Sequence, residues 1–149
     1  MLVRCLYASR PVGALTERTV DSIVSASKRN NPALGITGVL CANDEAYIQV
    51  LEGGRSAVAG LFSKISADER HSDVTLLLFE EISERHYGHW TMAQLDVAQL
   101  NPATVLRYFE TSRLDPFSQS GRATQRLLEE LVDAGAMVSR KPFRRDETA

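Results

Sequence analysis

An α+β fold, one sheet with two helices on the same face, is predicted by three observations. Strand-like and helix-like runs alternate in the order β-α-β-β-α-β, the second helical run is apolar along one face only, and Asn43-Asp44 joins the two middle strands as a tight turn. That order with a further short strand is the ferredoxin-like pattern, in which the first and third strands are central neighbours.

The elements follow in turn. LVRCLY (2–7) is rich in strand formers and runs into Ala8-Ser9-Arg10-Pro11, where proline is expected to end the strand. From Thr16 to about Asn30, Leu15, Val20, Ile23 and Val24 recur at helical spacing, and Asn30-Asn31-Pro32 predicts the stop. GITGVLCA (35–42) and EAYIQVLEG (45–53) pair antiparallel across the Asn-Asp turn. Val58, Leu61, Phe62 and Ile65 form the stripe of a second helix over about Arg55 to Ala67. The polar segment SADERHSD then yields to the strand VTLLLFEEI (74–82), and a short strand is expected from Trp90 to Leu95.

Beyond Leu100 the chain changes character. Asn101-Pro102 reads as an N-cap and first helical residue for a helix through Val105, Leu106 and Phe109. A following helix carries Leu127, Leu128, Leu131 and Val132, a narrow apolar stripe that must cover the bare sheet face or another protein. The predicted organisation is a domain over 1–96, a helical extension over 97–138 and a mobile tail over 139–149, whose Arg140-Lys141-Pro142-Phe143-Arg144-Arg145 has little to bury.

Composition narrows the function. The 149 residues hold 44% AVILMFWYC, ordinary for one buried core, and 17 Lys and Arg against 19 Asp and Glu give a net charge of −2. No broad basic field is available for a polyanion, so direct nucleic-acid binding is not expected. Cys5 and Cys41 lie in apolar runs outside any metal or disulfide spacing, which fits a reducing, cytoplasmic setting. No apolar run approaches the roughly 20 residues that span a bilayer, and MLVRCLYASR lacks the form of a signal peptide, so no membrane partner is expected.

Enzyme signatures are missing. There is no GxGxxG, Walker A, HExxH or GxSxG pattern, and His71, His86 and His89 cluster near predicted loops, so neither catalysis nor a metal site is predicted. Arg10 after the first strand is the single hint of an acylphosphatase-type anion cradle, and a flavin-free interaction module is the other alternative. More unusual are Tyr7, Asn31 and Gln49, polar residues aimed at the space between sheet and helices, where an unpartnered buried amide costs about 1–3 kcal/mol. Tyr7 and Gln49 are predicted to be cross-strand neighbours. Singly, each has an ordinary reading: Asn31 as a helix end, Gln49 as the partner of Tyr7, Tyr7 as a half-buried strand aromatic.

Together with their neighbours, these residues resemble the BLUF family of flavin-binding blue-light sensors. The resemblance rests on LYASR (6–10), SKRNN (27–31), GITGVL (35–40), IQVLEG (48–53), DERH (68–71) and WTM (90–92), in family order over about residues 1–95. The remaining third resembles the C-terminal helices of short BLUF proteins without an attached output enzyme. Cys41-Ala42 departs from the more usual apolar-aromatic pair at the hairpin.

The resemblance implies a flavin between the two helices, FAD by family habit with FMN or riboflavin as alternatives, its ring in an apolar slot of Ile23, Ile36, Leu51 and Ile65. It implies that Gln49 bonds both Tyr7 and the N5 and C4 carbonyl region, and that Asn31 holds the C4 carbonyl and N3 edge. Asn30, Asp68 and Arg70 would reach other polar positions, His71 the ring edge, and Lys28 and Arg29 the phosphates. Amides suit such an edge because they donate and accept. Light would drive an electron and a proton from Tyr7 by way of Gln49, leaving Gln49 rotated or tautomerised and the absorption shifted to the red. Trp90 and Met92 share parity, so one is expected to face the pocket as the other leaves. Output would pass through the 101–135 helices to a partner protein, with a homo-oligomer expected.

Overall fold

The computed structural model describes residues 1–13, 16–98 and 100–138; Leu15 and the tail 139–149 named above lie outside the described residues. The chain runs β1 (Leu2–Pro11), α1 (Glu17–Leu34), β2 (Thr37–Ala42), β3 (Tyr47–Gly54), α2 (Arg55–Ser66), β4 (His71–Ile82), β5 (Ala93–Leu95), α3 (Pro102–Leu106) and α4 (Gly121–Asp133), with a 3-10 turn at Pro116–Ser118 before α4. The strand order is β4-β1-β3-β2-β5, with β5 alone parallel to its neighbour. This is the expected ferredoxin-like α+β sheet.

Alternation along the strands sorts the interior into two cores. On one face Val3, Cys5, Tyr7, Leu40, Tyr47 and Leu51 meet Val20 and Val24 of α1 and Val58 of α2. On the other, Leu6, Val39, Ile48 and Val50 meet Leu127, Leu128, Leu131 and Val132 of α4, so the apolar stripe of that helix covers the sheet of its own chain. Contact is close at the start of α4, where a Cβ on Gly121 would stand 2.3 Å from the Leu77 carbonyl oxygen. Cys5 and Cys41 are free and buried, and burial pushes both thiols up to about 12, which leaves them unreactive.

Four boundaries differ from the sequence reading. β1 continues to Pro11 because β4 begins at His71 and pairs with it there, Arg10 opposite Ser72 and Pro11 opposite His71. Proline is tolerated there because β1 has passed its last pair with β3, Ser9 opposite Tyr47, so Pro11 has a partner strand on one side only, as at a sheet edge. His71 therefore sits on a strand rather than in a polar loop. α1 runs through Pro32 to a left-handed C-cap at Gly35 (φ 66°), whose N–H bonds the Asn31 and Pro32 carbonyls. Proline in a final turn loses a single i−4 bond, and the glycine cap supplies the stop. Asn31 is thus inside the last turn.

The fourth difference lies at β5, which starts at Ala93 and leaves Trp90, Thr91 and Met92 in a bent approach. Its outer edge is covered by the chain after α4: Asp96 N–H donates to the Ala136 carbonyl at 2.7 Å and Val138 N–H to the Gln94 carbonyl at 2.8 Å. Asn101 caps α3 as expected, its side chain accepting from Ala103 N–H. Among the described residues no helix is long and apolar enough to cross a membrane.

Candidate functional site

The central pair of strands places the two polar residues together. In the β1–β3 register Tyr7 stands opposite Gln49 on the face covered by α1 and α2, and the Tyr7 hydroxyl donates to Gln49 Oε1. Both are buried, at 1% and 3% exposure. The Phe62 ring meets Tyr7 edge-on with centroids 5.5 Å apart, so α2 clamps the phenol as well as roofing it. Desolvation, the largest cause, pushes the Tyr7 hydroxyl above the usual phenol range, which favours the neutral phenol.

Above this pair lies a cleft of about 210 Å³ between α1 and α2. Tyr7, Asn31 and Gln49 contribute polar groups, Ile23, Leu61 and Ile65 apolar walls, and Asn30, Lys64, Asp68, Arg70 and His71 also line it, with Ala26 and Ser27 of α1. Asn31 is 2% exposed and its Nδ2 donates to the Thr91 carbonyl at 2.9 Å. Gln49 Nε2 donates to Met92 Sδ at 3.3 Å. A thioether is a weak acceptor, and an amide nitrogen has two hydrogens to place. The pair Tyr7–Gln49 therefore presents a donor that gains from a carbonyl or ring nitrogen entering the cleft.

At the rim, Arg70 holds Asp68 through Nε to Oδ1 at 3.1 Å and Nη2 to Oδ2 at 2.7 Å. Side-chain and then backbone hydrogen bonds from Arg70 hold the Asp68 carboxyl down at about 2. His71 Nδ1 bonds Ser9 Oγ at 2.7 Å and the ring packs on Tyr47, with centroids 5.0 Å apart. Burial lowers the His71 pKa below its ordinary 6.5, outweighing the pull of Asp68. The sign follows: the neutral ring is the folded form, so its contribution is complete above pH about 6.5 and is lost as pH falls from there through the folded value. A midpoint below 6.5 for the His71 imidazole in an NMR titration is the expected result; a midpoint above it contradicts the packing described.

The structure gathers most of the predicted residues and disperses some. Ile36 and Leu51 are buried in the core of the α1/α2 face and are not among the described residues lining the cleft. Arg29 is exposed outside the lining, and Lys28 lines a separate cavity of about 330 Å³ with Trp90, Met92 and Met137. Lys64, absent from the sequence reading, is with Arg70 a cation on the cleft; its place one residue before Ile65 on the α2 stripe was the available signal. Trp90 and Met92 do not share a face despite equal parity. Met92 joins the α1/α2 core and Trp90 packs against the α4 core, because the segment bends before β5 and strand alternation does not apply. Arg10 is engaged, paired with Asp73 at 3.2 Å and stacked 4.1 Å over Phe117, which removes the hint of an anion cradle.

A cleft between two helices on a ferredoxin-like sheet, with a buried phenol–amide pair at its floor, marks a small ligand-binding domain. Residues 2–93 match the family described as BLUF, sensors of blue-light using FAD, and the chain belongs to that family. It is a flavin-binding blue-light sensor domain. A photoactivated adenylate cyclase subunit beta from Euglena longa is 33% identical over 92 residues, covering 61% of this chain and 11% of the relative. The chain thus spans about a tenth of the length of such curated relatives. Among solved structures, the photo-activated state of BlsA is similar with TM-score 0.79 and 26% identity over 97% of this chain and all of that one (100%). The dark-state structure of BlrB, a BLUF protein, gives TM-score 0.72 and 32% identity over 90% of this chain and 96% of that one.

Proposed function

We propose that the cleft between α1 and α2 holds FAD non-covalently and that the light response runs through Tyr7 and Gln49. The observation that carries this reading is the buried Tyr7–Gln49 hydrogen bond at the cleft floor, with Gln49 Nε2 donating to the weak acceptor Met92 Sδ. A bound flavin supplies absorption of blue light and an excited ring that is a strong oxidant. Tyr7, locked as the neutral phenol, is the donor of one electron and one proton. Gln49, bonded to the phenol and itself lining the cleft, would relay the proton, and the electron and the proton would both return to Tyr7, leaving the Gln49 hydrogen bonds rearranged. No substrate is consumed. Asn31 and Asn30 hold the polar edge, Ile23, Leu61 and Ile65 pack the ring, His71 borders it, and Lys64 and Arg70 are the cations available to phosphates.

The altered Gln49 bond affects Met92 directly, since the two side chains touch, and a changed contact shifts an equilibrium only by the difference it makes between two states. We propose that this difference passes along β5 to the C-terminal helices and is read by a separate effector protein, with homo-oligomerisation and without direct nucleic-acid or membrane contact. The free, buried cysteines support a cytoplasmic setting.

Purified protein is expected to be yellow and to move its absorption reversibly to longer wavelength under blue light; colourless protein would favour a flavin-free module. Asn31→Ala is expected to weaken flavin retention about tenfold, the worth of roughly 1.4 kcal/mol, with the shift retained in the bound fraction. Equilibrium dialysis of riboflavin checks this, and undiminished retention would leave Asn31 a tether for Thr91 alone.

A further inference from the structure

The most completely buried charge among the described residues lies outside the cleft. Glu52 has 0% exposure on the α4 side of β3, three residues from Gln49. Its Oε2 accepts from Arg4 Nε at 2.9 Å and from His86 N–H at 3.1 Å, and its Oε1 from Tyr87 N–H at 2.6 Å. Arg4 Nη2 stands 2.8 Å from the same Oε2. Arg4 continues to Glu80 Oε1 at 3.3 Å, and Glu80 Oε2 takes Arg122 of α4 at 3.3 Å. Arg85 adds a second clasp, Nη1 donating to Thr37 Oγ1 at 2.9 Å and to the Glu52 carbonyl at 3.1 Å.

A buried ion pair is no gain in stability over apolar side chains of the same volume. What a carboxylate offers here is a set of acceptors that two consecutive backbone N–H groups and a guanidinium can reach together. The segment held in this way leads, through Trp90 O bonded to Gly38 N–H at 3.0 Å and Thr91 O bonded to Asn31, to Met92. Gln49 and Glu52 stand on opposite faces of one strand, so β3 anchors both ends of the arrangement.

We propose that Glu52 is a positioning residue: it sets where the His86–Met92 segment lies on β3, and so where Met92 meets Gln49, while Arg4 and Glu80 tie that segment to α4. The inference rests on the reading of Gln49 given above for its effect on the light cycle, and on the structure alone for the position of Met92. The chain has three methionines, so methyl-13C-methionine protein gives a simple NMR spectrum in which Met92→Leu assigns the signal.

In the dark, flavin-loaded full chain, Glu52→Gln is expected to shift and broaden the Met92 methyl signal. Thermal return of the red-shifted form is expected to change about tenfold, a barrier change of roughly 1.4 kcal/mol, with shift amplitude retained. Arg4→Met/Glu52→Gln removes both buried charges; it is expected to recover much of any lost melting temperature and yet keep the displaced Met92 signal, and it carries the test if the single variant does not fold. A wild-type Met92 signal in the folded single variant, or its restoration along with the melting temperature in the double variant, would overturn the proposal. Wild-type protein without a light shift would sink the reading of Gln49 and leave the Met92 measurement standing as the test of position.

Discussion

Gln49→Leu and Tyr7→Phe are each expected to leave flavin bound and to abolish the light-induced red shift. Leucine fills the volume of the amide without its dipole, so the Tyr7 hydroxyl loses its acceptor and Met92 its amide neighbour. Phenylalanine keeps the ring that packs edge-on against Phe62 and removes the proton. Each change leaves one buried polar group unpartnered, a stability cost of about 1–3 kcal/mol, which the domain should survive. Difference spectra under blue light check the outcome, and a shift of normal size in either variant refutes the role given to that residue. Because burial raises the Tyr7 pKa above the usual phenol value, the amplitude of the wild-type shift should carry no titration from the phenol around neutral pH.

Leu128→Ala is expected to cost about 2–5 kcal/mol in a denaturant titration, the largest single effect outside the site. Leu128 and Leu127 are both at 0% exposure, and α4 closes the second core of the sheet. With total stability of order 5–15 kcal/mol, such a loss removes a large share of it. A loss below about 1 kcal/mol would mean that α4 sits on the sheet without being part of its core. The result bears on signalling, because a helix that completes the core responds to changes in the sheet beneath it, whereas an appended helix need not.

Much of this was legible in the linear pattern. Periods of two and of about 3.6 identified the strands and the two sheet-facing helices, and the β-α-β-β-α-β order placed β1 beside β3. That topology allowed Tyr7 to meet Gln49, and the β1–β3 register sets them opposite. The stripe of Leu127, Leu128, Leu131 and Val132 declared a buried face without saying what it faced. Element ends were less visible: Pro32 looked like a stop, yet the signal that ends α1 is Gly35, and β1 ran past Ala8 because a partner strand was waiting beside it.

The local chain, then, determined which residues are apolar, where the backbone can turn and which two strands must be adjacent, since these depend on side-chain period and short-range conformational preference. Tertiary structure alone decided which of Trp90 and Met92 meets Gln49, which cations border the cleft, and that Glu52 collects His86, Tyr87 and Arg4 around one carboxylate. Those outcomes depend on contacts between residues tens of positions apart, on bent segments where no period holds, and on burial that turns an ordinary polar side chain into one that must find its partners.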